Sequence, residues 1–552
     1  MLSESSVPSD RSSIEDESGQ ASTFLSWMGE SLLQLLRGKK REVTHYDWFT
    51  DEEVGRYERT LPVSGVQRID DFTNRDLSLK SYLRVIGAEA SLFARQYMFA
   101  RLRHGAEPSE LAESPLRAAL AVPAGEVLSA TRSVRHALRC TDTDVAKLLF
   151  EADFPKVTGW QRNLYFAPLL WIFAIALFAL HFVIPALIAG MSYFGILALC
   201  EIKLRFGLNM WKRERVGILT MLEAAVELGR IGHKLDHPIL RELAASSTKH
   251  RATLNALSSS IIERIPVVFD YVNLLSLYEY AMLGRKMARF ELHFASLRDA
   301  YREVAECEAR LCLLEHLNQV GVHCWAGQSE GRELRLDAMR NPLLLDGQPL
   351  SLELRDKGVF LTGQNGTGKS TMLRGVGLNI LCARAFGFCY AAEATIPLLP
   401  VWTSIQHEDS LAASESLYMA EMRRASTLLQ VSTDVDGAIL IIDEIFRGTN
   451  NLESIAAAAA VLSRLAAKCM VIVSSHNVVL GSMLEARLNS ICLVRSGPRG
   501  MLKIEPGILM DTNGIDMMER YAIDNEVCGV ARKVYEWLGA DVVRPRVFPE
   551  LD

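Results

Sequence analysis

The sequence has no Cys-x-x-Cys pair, although ten cysteines are spread along its 552 residues. With no Cys/His group at metal-ligand spacing either, a structural metal cluster is not expected, and the thiols read as reduced in a cytosolic setting. Positive charge is not in surplus: 60 Lys and Arg stand against 66 Asp and Glu, a net charge of -6. Nothing therefore draws the chain as a whole to nucleic acid, and any DNA contact would rest on a local patch such as Arg101 and Arg103, or Lys212, Arg213 and Arg215. The N-terminus lacks the basic and apolar run of a secretory signal, since Ser3, Glu4, Ser5, Ser6, Asp16 and Glu17 open it. The most local lack is of charge: residues 163–200 hold no Asp, Glu, Lys or Arg over 38 positions. A mean hydropathy of +0.11, high for a purely soluble chain, is concentrated there.

A membrane helix needs about 20 apolar residues, so this stretch suits two passes better than one. Its halves are Leu164 to Leu180 and Val183 to Leu199, with His181 and Pro185 near the midpoint. Lys156 and Arg162 precede it, and Lys203, Arg205, Lys212, Arg213 and Arg215 follow it. Positive charge on both sides places both ends in the cytosol and requires an even number of crossings. The expectation is a transmembrane helical hairpin with a very short external turn; the alternative is a buried helical pair of a soluble core.

Residues 1 to about 20 lack apolar periodicity and read as disordered. Phe24, Leu25, Met28, Leu32, Leu35 and Leu36 then recur at helical spacing before the basic run Arg37 to Arg41. Such a helix would lie on an anionic membrane surface or pack against the rest of the protein. The expected organisation is multidomain. Residues 1–45 form the disordered N-terminus with its short amphipathic helix. An all-α helical core over 46–162 and 201–335 is interrupted by the hairpin at 163–200. From 336 to 552 the texture becomes α/β, with buried strands at Gly358–Thr362, Ala438–Ile442 and Met470–Ser474 between helical stretches, which suggests a parallel sheet covered on both faces.

The first of these strands runs into Gly363-Gln364-Asn365-Gly366-Thr367-Gly368-Lys369-Ser370-Thr371, and a helix follows. Glycines let backbone N–H groups wrap a nucleotide's phosphates, and the helix N-terminus adds a favourable dipole. Lys369 would neutralise the β- and γ-phosphates, and the Ser370 hydroxyl would ligate Mg²⁺. The second strand delivers Asp443 and Glu444 at its C-terminal end, 73 residues after Ser370. There Asp443 would hold Mg²⁺ through water and Glu444 would polarise the attacking water. His476, just past the third strand, would hydrogen-bond the γ-phosphate or that water; alone it would read as structural. The small-residue stretch from Asp409 to Met422 places Ser416 near a helix start. It could present donors to a phosphate, on its own site or a partner's, or simply cap the helix.

Together these residues resemble the ATPase domain of the MutS mismatch-repair family. The family's G-P-N-x-x-G-K-S-T loop is matched by Gly363 to Thr371, with Gln364 in place of Pro. Its D-E-[IL]-x-[RK]-G-T segment looks like Asp443-Glu444-Ile445-Phe446-Arg447-Gly448-Thr449. Its D-D-L-x-x-G-x-S-T-F-x-x-E-M signature is similar to the stretch from Asp409 through Ser416, Tyr418 and Glu421 to Met422. Its T-H strand end looks like Ser475-His476. Asp70 to Leu77 looks like the start of the family's helical core, and Gly514 to Val534 like its C-terminal dimerisation element. The resemblance implies an ABC-type P-loop ATPase using ATP and Mg²⁺. It further implies a homodimer with composite sites completed by Ser416 of the second copy, and DNA as a candidate partner.

The departures are an Asn341-Pro342 pair where the family has His-Pro, and no stretch before Tyr46 long enough for mismatch-reading and connector domains. The hydrophobic hairpin stands where a DNA clamp would interrupt the core. The layout looks like a membrane-associated branch held at the cytoplasmic membrane, with its N-terminal region and ATPase domain in the cytosol. An ABC-class membrane ATPase fits less well, because an L-S-G-G-Q signature is absent and Ser416 lies 27 residues before Asp443. An SMC-like ATPase would need a long coiled coil between Lys369 and Asp443. A MutS-derived ATPase acting on a partner other than DNA is the remaining alternative.

Overall fold

The computed structural model describes residues 49–62, 68–151, 163–258, 277–329, 331–344, 346–405, 417–435, 437–495, 500–509 and 527–534. The expected N-terminal amphipathic helix and Ser416 lie outside them, as does most of the Gly514 to Val534 element, of which 527–534 is helical. The described protein is helix-rich with mixed sheets.

The helical part is built around Phe294–Val320, whose Leu297, Tyr301, Val304, Leu311, Leu314 and Leu317 are buried. Against it pack Leu92–His104 and Gly125–Arg139, each joining the same continuous apolar core. One acid admitted to this interior is matched by two donors. Glu308, fully buried, accepts hydrogen bonds from the Ser91 backbone N–H, at 3.0 Å, and from its hydroxyl. Burial raises the Glu308 pKa, so its carboxylate depends on those donors.

The apolar stretch forms two antiparallel helical arms, with the turn at Leu180–Phe182 and His181 in the left-handed region at φ 64°. Their lengths differ from an even hairpin. The first arm, Ala167–Ala179, is 13 residues, about 20 Å, shorter than a bilayer's hydrocarbon core. The second is one unbroken helix, Val183–Leu235, of 53 residues and about 80 Å. The expected boundary at residue 200 therefore coincides with no break: no glycine–proline pair or cap stops the helix, and the charged residues after Glu201 continue its turns. Only Val183–Arg205 is long and apolar enough to cross a membrane among the described helices. Its outward side chains are open, with Ile184 73% and Met191 74% exposed.

Among the described residues twelve strands follow: β1 (Cys324–Trp325), β2 (Gly327–Ser329), β3 (Glu333–Met339), β4 (Leu350–Arg355), β5 (Gly358–Gly363), β6 (Phe388–Cys389), β7 (Glu393–Pro397), β8 (Val401–Ser404), β9 (Ile439–Asp443), β10 (Met470–Ser474), β11 (Leu488–Arg495) and β12 (Leu502–Pro506). The main sheet has the order β12-β11-β5-β10-β9-β8, parallel from β11 to β8 with antiparallel β12 at one edge. A second sheet, β2-β7-β3-β4, is mixed, and β1 pairs with β6. The sheet strands thus begin a dozen residues before the expected boundary at 336. The three strands read from sequence lie side by side at the centre, β5-β10-β9. Every residue of β9 and β10 is buried, as continuous apolar strands between covering helices require.

Candidate active site

The central strands end together, and this is what builds the site. Ser474 of β10 pairs with Asp443 of β9 and with Leu361 of β5, so the residues after each strand emerge at one edge of the sheet.

From β5 the chain turns through the glycine-rich loop into the helix Lys369–Phe386. Gly366 and Gly368 sit at φ 74° and 98°, backbone that L side chains rarely adopt. A Cβ at Gly366 would meet nothing within 4 Å, so the loop presents open backbone to whatever approaches. The first helical hydrogen bond runs from Met372 N to Gly368 O, leaving the N–H groups of the opening turn ahead of it. Lys369 is buried at 7% exposure, and its Nζ donates to Gly363 O at 2.8 Å and Gln364 O at 3.2 Å. Burial lowers its pKa, opposed by the negative charges of Asp443 and Glu444. The Thr367 hydroxyl donates to Gln364 O at 2.8 Å, closing the loop on itself. Asn341 donates from Nδ2 to Thr371 O at 2.9 Å, fastening the opening turn from outside.

Asp443 ends β9 and accepts a hydrogen bond from the Ser474 hydroxyl of the neighbouring strand. Glu444 donates its backbone N–H to Ser474 O at 2.9 Å, and its Oε1 lies 2.9 Å from His476 Nε2. Its other oxygen forms an ion pair with Arg447 Nε. Burial pushes the Glu444 carboxyl upward. The hydrogen bond from His476 and the charges of Arg447, His476 and Lys369 outweigh it, and the net pKa is lowered. Lys369, Asp443, Glu444 and His476 are thus brought to one edge, with Ser370 and Thr371 in the opening turn.

A phosphate chain fits this arrangement. The open glycine backbone, the helix N-terminus and a buried lysine amine whose partners are neutral carbonyls are what an oxyanion needs. The hydroxyl of Ser370 and the carboxylate of Asp443 are hard oxygen donors suited to Mg²⁺.

Two features lay beyond sequence reasoning. Glu421, on the helix Leu417–Asp434, accepts hydrogen bonds from the backbone N–H groups of Arg447 and Gly448, at 3.1 and 3.3 Å. Its signal was present as the Glu of the Asp409 to Met422 stretch, without a role. The second is the grip of Asp70–Asp76 on strand β8, where Asp76 Oδ2 accepts from Thr403 Oγ1 and Ile405 N. The basic groups offered for DNA phosphates are engaged elsewhere. Arg103 is buried against Glu58 and Asp71, Arg101 pairs with Glu110, Lys212 with Glu279 and Arg213 with Asp142.

Fold and site define a class: a helical core joined to a parallel-sheet domain with a glycine-rich cradle facing paired carboxylates. The family model for MutS domain V matches residues 359–538, the segment holding every described residue of that cradle and its carboxylates. The chain is 30% identical over 252 residues to the DNA mismatch repair protein MutS of a Thermus thermophilus strain, covering 44% of this chain and 31% of that protein. It is 33% identical over 188 residues to DNA mismatch repair protein MutS 1 of Haloarcula marismortui, covering 33% of this chain and 20% of that protein. With the MutS of Synechococcus sp. CC9902 it shares 27% identity over 332 residues, 57% of this chain and 36% of that protein. Over residues 359–538 the chain is similar to MutS domain V, and it spans about a third of the length of the first of these curated relatives.

Proposed function

We propose that this chain is a Mg²⁺-dependent ATPase of the MutS type, with its P-loop domain over 336–552. The observation that carries the reading is the convergence of Lys369, Asp443, Glu444 and His476 at the ends of β5, β9 and β10. The backbone of Gly363 to Gly368 would wrap the phosphates of ATP, and Lys369 would leave its carbonyl partners for the β- and γ-phosphates. Mg²⁺, held by Ser370 and by Asp443 through water, would supply charge neutralisation there. Glu444, kept ionised by its neighbours, would polarise the attacking water, and His476 would orient that water or the γ-phosphate. Ser416 of a second copy would complete each site, making the working unit a homodimer.

The reading extends to location and partner. The exposed apolar arms within 163–200 are suited to a lipid bilayer, which would hold the chain at the cytoplasmic membrane with its ATPase domain in the cytosol. DNA is the proposed partner, through the family's link to mismatch repair. The pairing of Arg101, Arg103, Lys212 and Arg213 with carboxylates favours, as second reading, a MutS-derived ATPase that moves a partner other than DNA.

The test is phosphate release by the full chain in detergent, alone and with homoduplex, mismatched and branched DNA, with Lys369→Ala as control. ATP hydrolysis abolished by Lys369→Ala is expected. Stimulation by DNA supports the repair reading; stimulation by none of the three removes it and leaves the ATPase. Hydrolysis unaffected by Lys369→Ala would overturn the whole assignment.

A further inference from the structure

We propose that Glu421 is a positioning residue for Glu444, and that the helix carrying it ties this positioning to the helical core through Arg424. The proposal rests on the ATPase reading above and concerns how that site is held in shape.

Glu444 and Phe446, neither of them glycine, sit at φ 55° and 59°. Residues with a Cβ are strained in this left-handed region and persist there only where the surroundings over-determine them. Beside the Glu444 N–H bond to Ser474 O, the surroundings that hold this segment come from the helix Leu417–Asp434. Both Glu421 carboxylate oxygens accept hydrogen bonds from the backbone directly after the strained pair: Oε1 from Arg447 N and Oε2 from Gly448 N. Phe446 is buried at 1% exposure, with its ring edge-on to Tyr418 and the centroids 6.2 Å apart. Gly448 lets the two backbones meet, since a Cβ there would lie 2.8 Å from Tyr418 N and Cβ. Tyr418 and Glu421 are three residues apart and share a face. That face therefore holds the segment from which Glu444 reaches His476.

Arg424 stands one further step along, again three residues on. Its Nε donates to Thr403 O at 2.9 Å, and its guanidinium forms an ion pair with Asp70. It lies over the ring of Phe72 at 4.9 Å and that of Trp402 at 5.7 Å. Asp70 in turn caps the helix Asp71–Asp76, accepting from Thr73 N at 2.9 Å. One side chain of the helix thus fixes the carboxylate segment and the next fixes the helical core. A rotation of the helix that shifted Arg424 would shift Glu421 and, through two backbone bonds, the Glu444 carboxylate. Glu421 itself acts on Glu444 only through that backbone, so its loss affects the chemical step more than nucleotide binding.

The experiment compares wild type, Glu421→Gln, Glu421→Ala, Arg424→Ala and the Glu421→Ala/Arg424→Ala pair as full chains in detergent. It measures ATP turnover and equilibrium binding of a fluorescent ATP analogue. Glu421→Ala is expected to lower kcat by at least about tenfold, with KM and analogue affinity changed by no more than about twofold. Glu421→Gln offers one acceptor and one amide donor to two N–H groups, so its kcat falls between. Arg424→Ala lowers kcat in the same direction, and the double variant loses little beyond Glu421→Ala, as residues acting in one chain should. Wild-type kcat in Glu421→Gln, or parallel loss of kcat and analogue affinity in both Glu421 variants, would overturn the proposal while leaving the ATPase reading standing. A wild-type chain that hydrolyses no ATP would instead remove the ATPase reading and this inference with it.

Discussion

Asp76 accepts the Thr403 hydroxyl at 2.6 Å in a buried bond that spans 327 residues of sequence and joins the helical core to the edge strand β8. The same carboxylate oxygen accepts Ile405 N at 2.8 Å, while the Asp76 carbonyl accepts Arg374 Nε of the helix Lys369–Phe386 at 3.0 Å. Asp76→Ala leaves two buried donors without their acceptor and is expected to cost about 3 kcal/mol of stability. Asp76→Asn, which keeps one acceptor oxygen, should cost less. Denaturant unfolding of the two variants beside wild type measures this, and equal stability of all three would show the junction to be dispensable.

The Glu444–His476 contact gives a kinetic prediction. Glu444→Gln keeps the shape but loses the charge, so turnover should fall by on the order of a hundredfold or more while ATP still binds. His476→Ala removes one of the groups holding Glu444 and should lower kcat by a smaller factor. Single-turnover phosphate release with parallel nucleotide binding separates the two steps. Wild-type turnover in Glu444→Gln would remove Glu444 from its role.

His316 provides the pH dependence. Its Nε2 shares a 2.9 Å hydrogen bond with the Tyr390 hydroxyl, which meets the Tyr82 hydroxyl at 2.9 Å. Burial, with a smaller contribution from His323, pushes the His316 pKa down to about 4 from its ordinary 6.5. The folded state thus holds this ring neutral. Its stability is full above pH 6.5 and declines as pH falls toward 4, because the unfolded chain takes up the proton first. The loss between pH 7 and pH 5 is about 2 kcal/mol. His316→Gln should flatten that part of the stability curve, and an unchanged slope would assign it to another group.

The apolar arms carry the membrane prediction. Met191 and Phe194 are 74% and 53% exposed, and the ring contacts of Phe194, to Trp171 and Tyr193, lie within the arms, so charging them leaves the packing of the sheet domain alone. Each aspartate placed mid-span costs about 3 kcal/mol of insertion. Met191→Asp/Phe194→Asp should therefore leave the membrane fraction on extraction and fail to float with phospholipid vesicles, while keeping its ATPase rate. Continued flotation would show that these two positions do not set the membrane attachment.

Much of the site was legible in the sequence because it is locally encoded. Gly366 and Gly368 stand where the backbone needs positive φ, and Lys369 follows at once in the first turn of a helix. The strands Ile439–Asp443 and Met470–Ser474 declare themselves by unbroken apolar runs. Other features were not legible. Strand β8 is short, and its neighbour in the sheet is β9, reached only after the helix Leu417–Asp434. The continuation of Val183–Leu235 past residue 200 was hidden by an abrupt change of composition, which alters what surrounds a helix without interrupting its hydrogen bonds.

The sequence by itself determined the glycine-rich loop, the carboxylate pair and the long charge-free stretch, since each depends on neighbours a few residues away. Only the tertiary structure decided that Glu421 holds the backbone of Arg447 and Gly448, and that Asp70 meets Arg424 across 354 residues. Such bonds depend on which strands the sheet places side by side and on how the core docks at its edge. Side-chain pattern specifies neither, because a buried carboxylate accepts any donor that packing brings within reach.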